Sequence, residues 1–453
     1  MTAVRIARKR LDVGLLDVAR GLRACLHAPE RDVVEQRVAA PWSPPQAVLA
    51  CLSARSGLDL LLGAVDWPAG AEVLLSAVSI PHLPVLVRAH GYVPVAVDVD
   101  PATLRLDPDE VGRAVTPRTR GLLHAQLLGA SDDVGELAAL ARRHGLLLVE
   151  DRAEAYDGRD RALGPHADVV LHSFGTIKTL TCFGGGVVLV RDPALRARMR
   201  RAQRAWPTQS TRSHAVKLLR GALMLGIGHP RVYPHFVRLA DALTGDHDAV
   251  VRRLSRGYAD QDLLGQLRHQ PSTALLALLA DRLERDDPQR VGRRAEAGER
   301  LARALGPHVS HLGGRASRRT HWLFPVVVDD PDALVAAGRA AGFDLTRGSS
   351  TLVALDPGCA RAQAAMSLVV YLPAYAAMGD EELDRLAAVV RTACSPPGGT
   401  PGPAQPGRSS TAAAPPDPVT LPVQPRPAKV SVGPEPSAPA VTVKPASGND
   451  RRR

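Results

Sequence analysis

Short apolar runs recur along the chain between residues 72 and 190, and longer amphipathic segments separate them. Each run is rich in Val and Leu and is followed by polar or turn-forming residues. Continuous apolar runs of this length are typical of strands that are buried on both faces of a parallel sheet. The alternation predicts an α/β fold with a mostly parallel central sheet and helices on both faces. The predicted strands are Glu72–Leu75, Val93–Val97, Gly121–Ala125, Leu146–Val149, Val169–His172 and Val187–Val190.

Helical patterns surround these strands and continue after them. From about residue 205 to residue 300 the pattern is helical but irregular, and a further strand and helix follow. We therefore predict a large domain over residues 1–260, which includes an N-terminal helical segment, and a smaller C-terminal α+β domain over residues 261–392. The elements expected outside the central sheet are helices at 11–29 and Ala47–Ala64, a strand at Trp322–Val328, and helices at Asp332–Gly342 and Asp380–Thr392.

The composition changes abruptly near the end of the chain. The last 59 residues contain 15 prolines among small and polar neighbours. Such a segment cannot bury enough apolar area to offset the loss of chain entropy. We predict a disordered, Pro-rich tail over residues 393–453.

Length and composition indicate a large globular protein. With 453 residues, 45% of them hydrophobic, the chain can form a substantial core. Its five cysteines are scattered, without a CxxC pair or metal-ligand spacing, as is usual in a reducing compartment. No signal-peptide pattern follows the basic start, and no stretch of 18 uncharged apolar residues occurs. We expect a cytoplasmic protein that contains no metal site and does not span a membrane.

The formal net charge of +11 raises the question of nucleic-acid binding. Only 3% of the residues are aromatic, so side chains that could stack on bases are scarce. Many arginines lie in helical patterns, where a solvated face is the usual explanation. We expect no nucleic-acid partner. A basic cleft for a small anionic substrate would also account for part of the charge.

The candidate chemistry lies just after two of the predicted strands. Asp151 follows the strand that ends at Val149, and Ser173 and Lys178 follow the next one, ahead of three glycines at 184–186. A carboxylate, a serine, a lysine and glycines are the groups needed to hold pyridoxal 5'-phosphate (PLP). Asp151 would keep the pyridine nitrogen protonated, Lys178 would form the resting Schiff base and move protons, and Ser173 would bind the phosphate. Taken singly, Asp151 could instead be a helix cap and Lys178 a surface lysine.

These residues stand in a context that resembles the DegT/DnrJ/EryC1/StrS aminotransferases, PLP enzymes of fold type I that often act on keto sugars attached to nucleotides. The resemblance covers roughly residues 45–392. Four stretches carry it: Ser53–Leu58 with Pro68–Val73, His90–Asp100, Arg143–Ala155, and Asp168–Lys178.

The resemblance implies roles for individual residues. It makes Lys178 the Schiff-base lysine and Asp151 the partner of the pyridine nitrogen. Glu154 falls where the family usually has Gln or His near the ring hydroxyl, and the backbone N–H groups of Ala54 and Arg55 would face the phosphate. Some relatives carry His at the lysine position and run dehydrations, so Lys178 favours transamination.

The chain also departs from the family pattern. Where relatives place an aromatic ring on the cofactor, this chain has Ser79-Ile-Pro-His82, so Ile80 or His82 would cover the PLP face. The motif by which a neighbouring subunit contacts the phosphate is replaced by residues 267–272, where Arg268 is a possible substitute. A segment at 346–351 replaces the histidine-containing substrate loop.

These observations predict an aminotransferase that moves an amino group from an amino-acid donor, such as glutamate, to a keto acceptor. The acceptor would be a nucleotide-linked keto sugar or a secondary-metabolite intermediate. By resemblance we expect a homodimer. Two alternatives stay open. The same anchor residues would serve another PLP reaction, such as a lyase or decarboxylase reaction, and the fold could act as a non-catalytic regulatory module.

Overall fold

A seven-stranded sheet forms the centre of the computed structural model, which describes residues 4–27, 29–255, 258, 261–307 and 309–394. The strands of the described residues, seven of which form this central sheet, are β1 (Val48–Cys51), β2 (Glu72–Ser76), β3 (Val78–Ser79), β4 (Val93–Val97), β5 (Thr119–Ala125), β6 (Ala130–Ser131), β7 (Leu147–Asp151), β8 (Val169–Ser173), β9 (Gly186–Val190), β10 (Ser310–His311), β11 (Arg318–Arg319), β12 (Phe324–Val327), β13 (Val353–Ala354) and β14 (Val369–Leu372). The order in the central sheet is β1-β9-β8-β7-β5-β2-β4. Strands β4, β2, β5, β7 and β8 are parallel, and β9 and β1 each run antiparallel to the preceding neighbour. The predicted mostly parallel sheet is confirmed.

Helices surround the sheet and link its parallel strands. They are α1 (Leu15–Leu26), α2 (Arg31–Ala39), α3 (Ala54–Ala64), α4 (His82–Ala89), α5 (Pro108–Ala114), α6 (Gly135–His144), α7 (Pro193–Arg204), α8 (Thr211–Ile227), α9 (Tyr233–Thr244), α10 (His247–Ser255), α11 (Leu263–Leu267), α12 (Thr273–Glu284), α13 (Pro288–Leu305), α14 (Pro331–Ala340), α15 (Ala360–Leu368) and α16 (Asp380–Cys394). None of these described helices has the length and apolar character that a membrane-spanning helix needs.

Alternate side chains of the strands enter two separate apolar cores, one on each face of the sheet. In β9, Val187 and Leu189 belong to one core, and Val188 and Val190 belong to the other. This alternation follows from the two-residue period of a strand, and it explains why each strand is a continuous apolar run. The sheet therefore lies between two helical layers, as predicted.

The helix predicted over Ala47–Ala64 is wrong in its first half. Val48–Cys51 forms β1, which pairs antiparallel with β9, and the helix begins only at Ala54. The Ser53 hydroxyl accepts a hydrogen bond from the Ser56 N–H at 3.1 Å and caps the helix. Apolar residues lie on both sides of Ser53, so the hydrophobic pattern continues unbroken from the strand into the helix.

A third apolar core lies in the C-terminal part. It joins α13, α14 and α16 to the antiparallel sheet β10-β12-β14. Helix α12 packs instead against α1 and α2. The domain boundary after residue 260 stays a prediction. Residues 393 and 394 of the predicted tail belong to α16, and residues 395–453 lie outside the described part of the chain.

Candidate active site

A cavity of about 650 Å³ lies at the carboxyl ends of β5, β7 and β8. Ligands bind at this edge in open α/β sheets, because the loops that leave the strand ends surround a crevice there. The cavity brings together most of the residues that the sequence singled out. Its wall includes Asp151, Glu154, Ser173, Lys178, Ala54, Arg55 and Ile80.

Asp151 is the last residue of β7 and places its carboxylate on the cavity wall. One carboxylate oxygen accepts a hydrogen bond from the Ala153 N–H at 2.9 Å. Burial raises the pKa of Asp151 to about 6, although this hydrogen bond and the positive charges of Lys178 and Arg55 act in the opposite direction. The cavity therefore holds a carboxylate that gains stability when a cation or a protonated ring nitrogen lies beside it.

Lys178 lies in the loop that follows β8, where its backbone N–H donates to the Gly175 carbonyl at 3.0 Å. Its amine lies 2.9 Å from Oε1 of Glu154, and only 17% of its side chain is exposed. The other Glu154 oxygen accepts the Leu128 N–H at 3.0 Å. The amine also lies 4.2 Å from the centre of the Trp322 ring. The lysine is held at the wall by an acid and an aromatic ring.

The N-terminus of α3 forms another part of the wall. Ser53, Ala54 and Arg55 line the cavity, and the first backbone bond of the helix runs from the Gly57 N–H to the Ser53 carbonyl. The N–H groups of Ala54 and Arg55 precede that bond, in the position that binds anions at helix N-termini. A Cβ on Gly186 would lie 2.5 Å from the Ala54 nitrogen, so only glycine lets β9 begin against this turn.

Two predicted cofactor residues lie elsewhere among the described residues. Pro81 is the N-cap of α4, and the turn into this helix carries His82 off the wall that Ile80 lines. Arg268 also lies off the wall, where its guanidinium donates to the buried carboxylate of Asp59 at 2.8 and 3.0 Å. Within one chain, Arg268 is therefore part of an ion pair. Its role at a partner's phosphate stays a prediction.

Residues 18–218 match the model of the DegT/DnrJ/EryC1/StrS aminotransferase family. The chain is therefore similar to that family over just under half of its length. L-glutamine:2-deoxy-scyllo-inosose aminotransferase from Streptomyces kanamyceticus is 35% identical over 189 residues, which are 40% of this chain and 44% of that protein. dTDP-3-amino-3,4,6-trideoxy-alpha-D-glucose transaminase from Streptomyces venezuelae is 34% identical over 214 residues, 45% of this chain and 56% of that protein. The chain thus spans about half the length of these curated relatives.

A solved structure is similar over a longer range. The structure of S. venezuelae DesV in complex with a ketimine intermediate has a TM-score of 0.59 and 24% sequence identity, and the match covers 83% of this chain and 94% of that one. A likeness at this identity shows a shared fold. Together with the sheet order, it confirms the predicted fold type I architecture.

The cavity also has a basic wall that the sequence did not reveal. Lys217, Arg220, Gly221 and Met224 lie on one face of α8 and line the cavity, and Arg253 of α10 joins them. Their spacing of three, four and seven residues is visible in the sequence, but a basic helix face normally points to solvent. Only the packing of α8 against α1 and α12 shows that this face meets the site.

Trp322 and the segment Gly348–Leu352 also line the wall, although neither was among the predicted site residues. The indole N–H of Trp322 donates to the Ile177 carbonyl at 2.9 Å, next to the lysine. The segment Gly348–Leu352 overlaps the substitute for the expected substrate loop. It precedes β13, which pairs with β3 at Ser79 on the other side of the cavity. These residues come from distant parts of the sequence, so no local pattern connects them to Lys178.

The donor groups of the cavity fit PLP. One buried carboxylate, one lysine amine and one helix N-terminus share a single wall, and Gly186 lets the backbone of β9 pack closely against that N-terminus. The volume of about 650 Å³ lies within the range of small-molecule sites, roughly 300–1,000 Å³. Asp151 would meet the ring nitrogen, Lys178 the aldehyde, and Ser173 with the N–H groups of Ala54 and Arg55 the phosphate.

Proposed function

We propose that this chain is a PLP-dependent aminotransferase that moves an amino group from an amino-acid donor to a ketone on an anionic acceptor. One observation carries the proposal: Asp151 and Lys178 lie on the same cavity wall, at the strand ends where fold type I enzymes are expected to bind their cofactor. The family match over residues 18–218 and the shared fold support it.

Bound PLP would supply the electron sink that lets a bond at the substrate α-carbon break. The chain supplies the rest. Asp151, ionised above its pKa of about 6, would hold a proton on the ring nitrogen. The Lys178 amine would carry a proton to and from the α-carbon, because it is the basic group on the wall that Glu154 and Trp322 hold in place.

The charge of the wall supports an anionic acceptor. Arg55, Lys217, Arg220 and Arg253 line the cavity, whereas Asp151 and Glu154 are its principal acids. The phosphate of PLP would neutralise only part of this positive charge, so a second anionic group can bind without repulsion. We propose a sugar-derived or cyclitol ketone that carries phosphate, such as a nucleotide-linked keto sugar. The relative named for a dTDP-linked amino sugar agrees with the phosphate-bearing class, and the relative named for an inosose agrees only with a cyclitol ketone.

The donor is proposed to be glutamate or glutamine. Glutamate is the expectation from the sequence, and glutamine appears in the name of the inosose aminotransferase. We also propose a homodimer, in which residues near Arg268 of one subunit approach the partner's cavity. Light scattering of the purified chain would test the dimer, and a monomer would contradict it.

The test of the function is spectroscopic. The purified full-length chain, supplied with PLP, should show a visible absorbance band that Lys178→Ala abolishes. Adding L-glutamate or L-glutamine without an acceptor should bleach this band as the amino group is taken up. A mismatched amino acid such as L-lysine serves as the control.

Three other results would each count against the proposal. A colourless protein that ignores added PLP would exclude the cofactor. A band that no amino donor bleaches would favour the non-catalytic module. Release of carbon dioxide or an eliminated group would favour the decarboxylase or lyase alternative.

A further inference from the structure

A second lysine lies beside the cavity, against the same aromatic ring as Lys178. The Lys9 amine lies 3.8 Å from the centre of the Trp322 ring, and the Lys178 amine lies 4.2 Å from it. A positive charge near an aromatic face is favourable, but two like charges near one ring repel each other. The arrangement therefore favours one charged amine and one neutral amine.

The Lys9 amine is buried and makes no hydrogen bond within the described part of the chain. Burial lowers the pKa of Lys9 well below its usual value, and the positive charges of Lys178 and Arg294 lower it further, whereas the negative charge of Glu154 raises it. Burial thus favours the neutral form of the Lys9 amine, whose free electron pair can accept a proton. The titratable or charged groups around it are Arg8, Arg10 and Asp12 on its own segment, Lys178, Glu154, Arg294 and Tyr375 on neighbouring elements, and His229, Tyr233 and Arg252 on the side of α8 to α10.

A small cavity connects the two lysines behind the main site. Its volume is about 30 Å³, and Lys9, Ile177, Lys178, Arg294 and Trp322 all contribute to its lining. A space of this size can hold one water molecule, which needs roughly 10–15 Å³ and polar partners. Both lysine side chains line this space, and one water within reach of both amines would connect them.

We propose that Lys9 is a positioning residue that accepts, through this water, the proton that Lys178 must release before its amine can bond to a carbonyl carbon. The water gives one proton to the Lys9 amine and takes one from Lys178, so the pair keeps a single positive charge throughout. The neutral Lys178 amine, with a free electron pair, is the nucleophilic form. This inference rests on the proposed function, because it assigns Lys178 the task of bonding to an aldehyde.

Lys9 is held in place by its neighbours in the N-terminal segment. Arg8 donates to the buried carboxylate of Asp344 at 2.7 and 2.9 Å and also pairs with Asp248. Asp12 accepts the Leu180 N–H at 2.8 Å, two residues beyond Lys178. These contacts fix the N-terminal segment against the loop that carries Lys178. The fold therefore determines the distance between the Lys9 and Lys178 amines.

The experiment measures the nucleophilicity of Lys178 in the cofactor-free, full-length chain. Formaldehyde with cyanoborohydride methylates neutral amines, and mass spectrometry of the digested protein reports the rate at each lysine. Wild-type protein is compared with Lys9→Met between pH 6 and pH 9. We expect Lys9→Met to slow methylation of Lys178 at least about tenfold near pH 7, and less at pH 9, where hydroxide can remove the proton instead.

Two further variants separate proton acceptance from packing. Lys9→Arg keeps a cation on the Trp322 ring but cannot accept a proton, so it should be as slow as Lys9→Met. Arg5→Met changes an exposed side chain of the same segment and should leave the rate unchanged. The peptide that contains Lys217 gives an internal reference in every digest, and circular dichroism checks the fold of each variant.

Several outcomes would overturn the inference. Equal rates in wild type and Lys9→Met at every pH would do so, and so would recovery of the wild-type rate by Lys9→Arg, which would show that Lys9 is only a packing cation. The same variants are then mixed with PLP. Their rates of forming the visible band should rank in the same order as their rates of Lys178 methylation. A wild-type chain that is methylated as expected but never captures PLP would refute the proposed function and leave the lysine relation standing.

Discussion

The Lys178 amine lies 2.9 Å from the Glu154 carboxylate, whose other oxygen accepts the Leu128 N–H. The acid is therefore oriented by the backbone that follows β5, and it in turn orients the lysine that follows β8. A single buried side chain connects the ends of two strands of the sheet. A carboxylate suits this position because each of its two oxygens accepts a hydrogen bond.

We expect Glu154→Gln to lower turnover while leaving the fold intact. The amide oxygen can still accept the Leu128 N–H, but the negative charge beside Lys178 is lost. Turnover should fall by at least about tenfold, since proton transfer by the lysine depends on its orientation and charge. The measurement is kcat with PLP at saturation. Glu136→Gln, on an exposed part of α6, is the matched control. An equal loss of kcat in both variants would contradict the role of Glu154 in orienting Lys178.

Asp151 should make the cofactor-free protein less stable at neutral pH than at acid pH. Its pKa is about 6 in the folded chain and 3.8 in the reference state, so the unfolded chain releases this proton first as the pH rises. Folding stability is then lost between about pH 4 and pH 6 and stays lower above that window. Asp151→Asn should raise the free energy of unfolding at pH 8 by on the order of 1–3 kcal/mol.

Thermal unfolding at pH 4 and pH 8 tests this sign. The advantage of Asp151→Asn should shrink towards pH 4, and the same variant should bind PLP much more weakly than wild type. If Asp151→Asn is less stable than wild type at pH 8, burial of the ionised Asp151 carboxylate does not destabilise the folded chain.

The basic face of α8 should matter for the acceptor and not for the donor. We expect Lys217→Gln and Arg220→Gln to slow the reaction with an anionic keto acceptor by about 10- to 100-fold, because each removes a charged hydrogen-bond donor that is worth roughly 1.5–3 kcal/mol. Bleaching of the visible band by the amino donor should not change. Arg212→Gln, on the exposed side of the same helix, provides the control. Equal effects on both half-reactions would contradict an acceptor-specific role.

Arg268 and Asp59 are expected to act as a structural pair. The pKa of the Asp59 carboxyl lies below its usual value: burial would raise it, but hydrogen bonds from His90 and Arg268 more than offset that effect. Arg268→Ala should lower the free energy of unfolding by about 1–3 kcal/mol, since a buried carboxylate loses a donor. The change should be smaller in an Asp59→Asn background. Weaker PLP binding with an unchanged unfolding curve would support the contact with a partner's phosphate instead.

The sequence predicted those parts of the site that are local. Asp151, Ser173 and Lys178 each follow a predicted strand, and parallel strands bring their carboxyl ends to one edge, so the sequence pattern predicts that these residues lie together. Trp322 and Lys9 reach the same place through tertiary packing between distant segments. No short-range period can encode such a contact.

Long-range pairing also explains why a strand near the start of the domain was predicted as part of a helix. The strand Val48–Cys51 belongs to the sheet only because β9, far along the chain, pairs with it. Its apolar residues fit a helix equally well when read in isolation. Of the two candidates for the PLP face, Ile80 lies on the cavity wall and His82 does not, because α4 begins at His82.

The buried pairing of Arg8 with Asp344 has a consequence for biosynthesis, because the two residues lie 336 positions apart. A ribosome that adds some 5–20 residues per second exposes the arginine tens of seconds before its acceptor. During this interval the first strands of the sheet can assemble, and Asp248 is available to Arg8 before Asp344 is. The buried ion pair that fixes the segment with Lys9 is therefore completed only when translation has almost reached the end of the described chain.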